Sequence, residues 1–290
     1  MSFTAVREAT PDFSAFSSQI GKTYVSDAER RLAALVKPYL APNDDTAGGF
    51  FFEAGRNHVG DIRDNNISVT GQDLDELAFL KGQKVVMSAG ADVARGTDSA
   101  LSPNRKYFDF AGSTNNEALA NTAGDFHNYG EDATWIAVIQ ADSTSNMAIL
   151  APSVLGSNGG RTGLRAALVL SSGRIELQNK TTGDDKDQVT DPDQVATGAR
   201  LLVWGSYKHS TKAAAVGKST TGTAAATATF TYDLVPSTGA QTGLQIGRAS
   251  TSALKFDGRI YMGMRLGAYY SDIPRFADIL TAIDSIWQVA

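Results

Sequence analysis

Carboxylates are the side chains this sequence is best supplied with for chemistry: 31 Asp and Glu stand against 26 Lys and Arg and three His. Cleaving a glycosidic bond needs two of them facing one sugar, about 5 to 10 Å apart. Alternating carboxylates on one strand would present such a pair, yet the expected strands carry Asp109 and Glu176 singly, while Glu131 and Asp132 precede a strand as turn residues. A nucleophile triad needs a His beside a Ser and an acid. His58, His127 and His209 lie far apart in the sequence, no Gly-x-Ser-x-Gly elbow occurs, and a histidine metal site has no clustered partners. No catalytic, cofactor-binding or metal-ligating residue is assigned, and the chain is expected not to be an enzyme.

Three further stretches imitate sites. The run TTGDDKDQVTDPDQ holds Asp184, Asp185, Asp187, Asp191 and Asp193 and offers calcium hard oxygen ligands, which leaves calcium the one cofactor open. It lacks the fixed Gly and closing Glu of an EF-hand loop, so a solvated loop is the expected state. Gly217, Lys218 and Ser219 resemble the end of a P-loop, but Lys212 stands where that motif needs its first Gly, so a hairpin tip is expected. For sugar stacking, the nearest candidates are the loop Asp125 to Gly130 (DFHNYG) and the pair Tyr269 and Tyr270, although aromatics in a sandwich more often belong to the core.

The elements that would position these groups are mostly strands. Short apolar runs at Tyr107 to Phe110, Thr134 to Gln140, Met147 to Pro152, Leu164 to Leu170, Arg174 to Asn179, Leu201 to Tyr207, Ala224 to Tyr232, Gly243 to Ile246 and Gly258 to Leu266 are punctuated by Asn158-Gly159, Ser172-Gly173 and Asp257-Gly258. Two helices frame them. Ser26 to Lys37 starts with a capping box, Ser26 and Glu29, and stops at Pro38 and Pro42. Ile273 to Gln288 has Ser271 and Asp272 as caps, Pro274 in its first turn, and an apolar stripe of Ile273, Phe276, Ile279, Leu280, Ile283, Ile286 and Trp287. That stripe is expected to cover the outside or open end of the sandwich. Between them, a short helix is expected at Asp73 to Leu80 and short strands around Phe50 to Phe52 and Lys84 to Ser88. Residues 1 to 24 read as a packing arm. Mainly β architecture follows: an antiparallel sandwich with an N-terminal mixed α/β segment, divided into residues 1–100 for attachment or assembly and 101–290 as the sandwich domain.

At 290 residues the chain can bury roughly 75% of its unfolded surface. It has no cysteine, so disulfides and thiolate sites are excluded. A net charge of −5 argues against a general nucleic-acid binder, and no apolar run nears the roughly 20 residues of a membrane span. The N-terminus has no basic region followed by an apolar core, so no secretory signal is expected.

The order of these pieces resembles the laminin-G-like, or concanavalin A-like, jelly-roll family. The resemblance runs from Lys106 to Ile286 through TWIAVIQADS, GLRAALVLSSGRIELQN, LLVWGSYK, AAAVGKSTTGTAAATATF, LQIGRAS and FDGRIYMGMRLGAYYSDIPRFADIL. It implies a jelly roll of the recognition type. The family's calcium site has no residue-by-residue match here, and the Glu-x-Asp-x-x-Glu run of its β-glucan hydrolases is absent. A recognition fold without cysteine or export signal fits a virion protein of a bacteriophage or phage-like particle, made in the host cytoplasm and released by lysis. The expected role is capsid decoration, head spike or tail adhesin, as a homo-oligomer touching other virion proteins, with a cell-surface glycan as candidate ligand. A free bacterial carbohydrate-binding module is the alternative reading, and a polysaccharide-degrading enzyme the third.

Overall fold

The computed structural model describes residues 27–40, 50–54, 66–67, 93–110, 119–120, 132–154, 166–180, 186–231, 242–249 and 254–290. Helix α1 (Asp27–Leu40) comes first, then strands β1 (Phe50–Glu53), β2 (Asn66–Ile67), β3 (Val93–Asp98), β4 (Arg105–Phe110), β5 (Leu119–Ala120) and β6 (Ala133–Ala141). The centre holds β7 (Met147–Val154), β8 (Ala166–Ser171), β9 (Arg174–Lys180), β10 (Lys186–Gln194), β11 (Arg200–Lys208), β12 (Ala213–Gly217) and β13 (Ala226–Thr229). Strands β14 (Thr242–Ile246), β15 (Arg248–Ala249), β16 (Leu254–Lys255) and β17 (Gly258–Leu266) lead into helix α2 (Phe276–Trp287).

Among the described residues the strands form two main antiparallel sheets, stacked as a jelly-roll sandwich. The larger runs β13-β12-β11-β6-β17-β4-β3-β2, with β1 also paired to β17, and the smaller runs β10-β9-β8-β7-β14-β5. Alternation along each strand builds the layers. Trp135, Ala137, Ile139 and Val203 of the larger sheet meet Ile149, Leu168, Leu170 and Leu177 of the smaller one. The intervening residues Ile136, Val138, Leu202 and Trp204 face the other way and pack against α1 and α2. The larger sheet is therefore covered on both faces, which explains why β6 and β11 read as unbroken apolar runs.

The apolar stripe of the last helix lies on this sheet as expected, but α2 begins at Phe276 rather than Ile273. Tyr270–Asp272 form a 3-10 turn ahead of it, and Asp272 is held by Lys208 Nζ at 2.6 Å instead of capping the helix. At the other end, α1 runs through Pro38 to Leu40 instead of stopping at Lys37. A proline in the last turn removes few helical hydrogen bonds, and the ring of Pro38 is exposed, away from the packed face. Ser26 lies outside the described residues, and Glu29 is used in a long-range ion pair with Arg105, at 2.6 Å.

Ser172 (φ 51°) and Gly173 (φ 75°) join β8 to β9 in the left-handed conformation that a two-residue hairpin turn requires, as the Ser-Gly pair predicts. The small-residue hairpin also forms, though its second strand is shorter than Ala224 to Tyr232. The division expected at residue 100 runs through a single sheet: β3 pairs with β4, β1 pairs with β17, and Leu32, Leu35 and Val36 of α1 share the helix-side core. The arm 1–24, Asp73 to Leu80, Lys84 to Ser88 and Asn158-Gly159 fall outside the described residues.

Candidate functional site

The two carboxylates singled out on strands stand on opposite outer faces of the sandwich. Phe108 and Phe110 point into the core between the sheets, so Asp109 faces the helix side. Ile175 and Leu177 point into the same core from the smaller sheet, which turns Glu176 to its outer face. Two layers separate the pair, and no single sugar could lie between them. Glu176 accepts a hydrogen bond from Thr190 Oγ1 at 3.1 Å and another from Gln178.

The acidic run is not the expected solvated loop over residues 186–194; those residues form edge strand β10. Asp191 is fully buried and is met by Lys218 Nζ at 3.3 Å, while Asp187 Oδ2 accepts the Thr231 N–H at 2.9 Å. Lys218, the lysine of the P-loop imitation, follows β12 and also donates to the Asp193 carbonyl at 3.1 Å. It ties one sheet to the other instead of meeting a phosphate. Asp184 and Asp185 lie outside the described residues, and those that are described hold no group of three or more metal-ligating side chains.

Tyr269 and Tyr270 belong to the core. Tyr270 lies 5.0 Å from the Trp204 ring and 5.8 Å from Phe276. Burial pushes the Tyr269 hydroxyl up to about 12. His209 sits in the turn after β11, where its N–H donates to Asp132 Oδ1 at 2.8 Å, so Asp132 is half-buried and tied to that turn rather than the solvated turn residue it was expected to be. His58, His127, Glu131 and Asp125 to Gly130 are outside the described residues.

The polar side chains that do converge were not singled out by spacing. On the helix-side face, beyond the end of α2, Asp98 Oδ2 accepts from Arg200 Nη1 at 2.6 Å and from the Tyr261 hydroxyl at 2.8 Å, while Asp98 Oδ1 accepts the Ala100 N–H at 3.0 Å. Burial works to raise this carboxyl, but the Tyr261 and Ala100 donors and the Arg200 charge outweigh it and hold it below the ordinary 3.8. Arg200 continues to the Trp287 carbonyl at 2.5 Å, placing a cation at the C-terminus of α2 where the helix dipole favours it. Beside this group the Arg259 guanidinium lies 4.4 Å over the Tyr107 ring, and Asp109 sits opposite Arg259 in the β4–β17 register. Burial raises the Asp109 carboxyl above 3.8, Arg259 pulls it back, and Asp142 and Asp257 add to the rise. Each charge here clamps one element to another: β3 to β11, β17 and α2. Recognising β3 as a strand would have exposed the cluster, but VARGTD offers no apolar alternation to read.

No family model matches the chain, and no curated protein matches it. Among solved structures it is similar to domain 4 of AbnA, an extracellular arabinanase of Geobacillus stearothermophilus in complex with arabinotriose. That alignment has 12% identity and TM-score 0.47 over 66% of this chain and 83% of the other. It is also similar to the CBM40 of a Ruminococcus gnavus sialidase bound to sialyllactose, at 18% identity and TM-score 0.41 over 49% and 80%. Domains LG4-5 of the mouse laminin alpha1 chain align at 16% identity and TM-score 0.42 over 55% of this chain and 42% of that one. At such distances nothing follows for the ligand of this chain.

Proposed function

We propose that the chain is a non-enzymatic structural protein of a bacteriophage or phage-like particle, attached to other virion proteins and presenting its sandwich outward for contact with a host-surface glycan. The observation that supports it best is how the buried charges are used. Glu29 with Arg105, Asp98 with Arg200, and Asp191 with Lys218 each join two elements of the fold. Groups arranged in this way hold elements of the fold together, which suits a structural role; general acid–base catalysis instead needs a carboxyl within hydrogen-bond reach of a substrate. The cysteine-free, acidic composition suits a protein folded in a reducing cytoplasm and released by lysis.

Immunogold labelling of a lysate with antibody to the full chain tests the particle reading. Label on particles is expected; label confined to free protein or to cell surfaces would instead favour a free carbohydrate-binding module. A glycan array probed with the full chain tests the recognition half, with binding to at least one bacterial surface glycan expected and a blank array overturning it.

A further inference from the structure

We propose that Asp109, Arg259 and Gln140 form a binding site for a neutral sugar, gripping its neighbouring hydroxyls by hydrogen bonds, a site that rests on the glycan contact proposed above. The three side chains stand in one row across β4, β17 and β6, with Asp109 opposite Arg259 and Arg259 opposite Gln140. At the spacing of neighbouring strands the row is about 10 Å long. Arg200 continues it on β11, opposite Gln140. One step along the strands Val138, Leu202 and Met262 are buried in the helix-side core, whereas all four residues of the row are only half-buried. This is where the helix-side face opens to solvent.

Unspent hydrogen-bonding capacity singles the row out. Arg200 is used up by Asp98 and by the Trp287 and Gln288 carbonyls. Arg259 is not. Its guanidinium lies 4.4 Å over the Tyr107 ring, and that ring rests where a Cβ on Gly96 would be, so stacking fixes the cation before any ligand arrives. Held there, it makes no ion pair with Asp109, although the two face each other in register. The Tyr261 oxygen takes at most one of its donors, and Nε is buried without a partner. Asp109 accepts no hydrogen bond from the described residues. Gln140 Oε1 accepts from the Tyr261 hydroxyl at 3.2 Å, which leaves the amide nitrogen as a donor. A sugar hydroxyl both donates and accepts, so a vicinal pair can give a proton to Asp109 and take one from Arg259 at once, bridging two groups that do not reach each other. The half-buried Asp109 carboxylate, repelled by Asp142 and Asp257, works against folding, and a group kept at such a cost is a candidate for function. The same three carboxylates set the charge of the ligand: a sialic acid or a uronate would be repelled, and a neutral sugar is not.

The test uses the full chain on a glycan array that carries neutral gluco-, galacto- and manno-oligosaccharides beside sialylated and uronic-acid ones. The wild type is expected to bind neutral members. Arg259→Lys keeps the charge and loses the planar fork, and Asp109→Asn removes the charged acceptor; each is expected to weaken binding about tenfold or more, as the loss of hydrogen bonds to charged groups does. Asp109→Asn should do so without a fall in Tm at pH 7, a combination that a merely structural role would not produce. Glu176→Gln, on the outer face of the smaller sheet, should bind as the wild type does. Neutral-sugar binding that survives both Arg259→Lys and Asp109→Asn, or that is lost in Glu176→Gln, overturns the site and leaves the glycan contact standing. Binding confined to sialylated or uronic-acid members does the same. A blank array overturns the site and the glycan contact together.

Discussion

Asp98 and Asp109 stand on the same face of the same sheet, and their environments push their carboxyls in opposite directions. The folded pKa of Asp98 lies below its unfolded value, so the stability it contributes is present above pH 3.8 and is lost as the pH falls through the lowered value. Asp98→Asn should lose about 1.5–3 kcal/mol at pH 7, the range for hydrogen bonds to a charged group. Denaturant titrations at descending pH should show that deficit shrinking below pH 3.8. For Asp109 the sign reverses: its folded pKa is raised, so the native state is favoured below 3.8 and loses that advantage as the pH rises through the raised value. Asp109→Asn should raise the Tm at pH 7 and leave it unchanged below pH 3.8, whereas a lower Tm at pH 7 would show that the pairing with Arg259 dominates burial. At this scale the sequence was least legible. Nothing in the sequence singles out Asp98, because its partners Arg200 and Tyr261 are more than a hundred positions away.

Among the elements, legibility followed how well local chemistry agreed with the fold. The stripe was readable because Phe276, Ile279, Leu280, Ile283, Ile286 and Trp287 share one face of α2 and are all buried, as is Ile273 just ahead of the helix. Its start was misplaced because Ser271, Asp272 and Pro274 look like helix-start residues, while Asp272 is drawn to Lys208. Strand β10 was missed because KDQVTDPDQ breaks strand preferences; an edge position tolerates Pro192, and among its described side chains only Val189 and Asp191 are buried. Strand β3 was missed because Gly96 interrupts it, yet the Tyr107 ring lies where a Cβ at Gly96 would be, so a cross-strand aromatic covers the glycine. The covering role of α2 has a direct check. Ile283 is fully buried beneath it, and Ile283→Ala should lower stability by about 2–5 kcal/mol in denaturant unfolding. A loss under about 1 kcal/mol would mean that the helix rests only loosely on the sheet.

For the whole molecule, the described parts of residues 27–100 share the larger sheet and the helix-side core with the rest of the sandwich. A chain starting at residue 101 would expose the edges of β4 and β17 and the apolar surface under α1. It is expected to aggregate or to melt well below the full chain, and an equal Tm would show that the first hundred residues do stand apart. The helices cover the outer face of the larger sheet, and on the outer side of the smaller sheet Ala148, Ala151 and Val169 are buried with Leu254 of β16 packed against them. The most direct measurement is quantitative mass spectrometry of particles purified from a lysate through a density gradient and washed in high salt. The expected result is that this chain co-bands with the particles at a fixed copy number that survives the wash; finding it only with soluble protein at the top of the gradient would contradict the assignment.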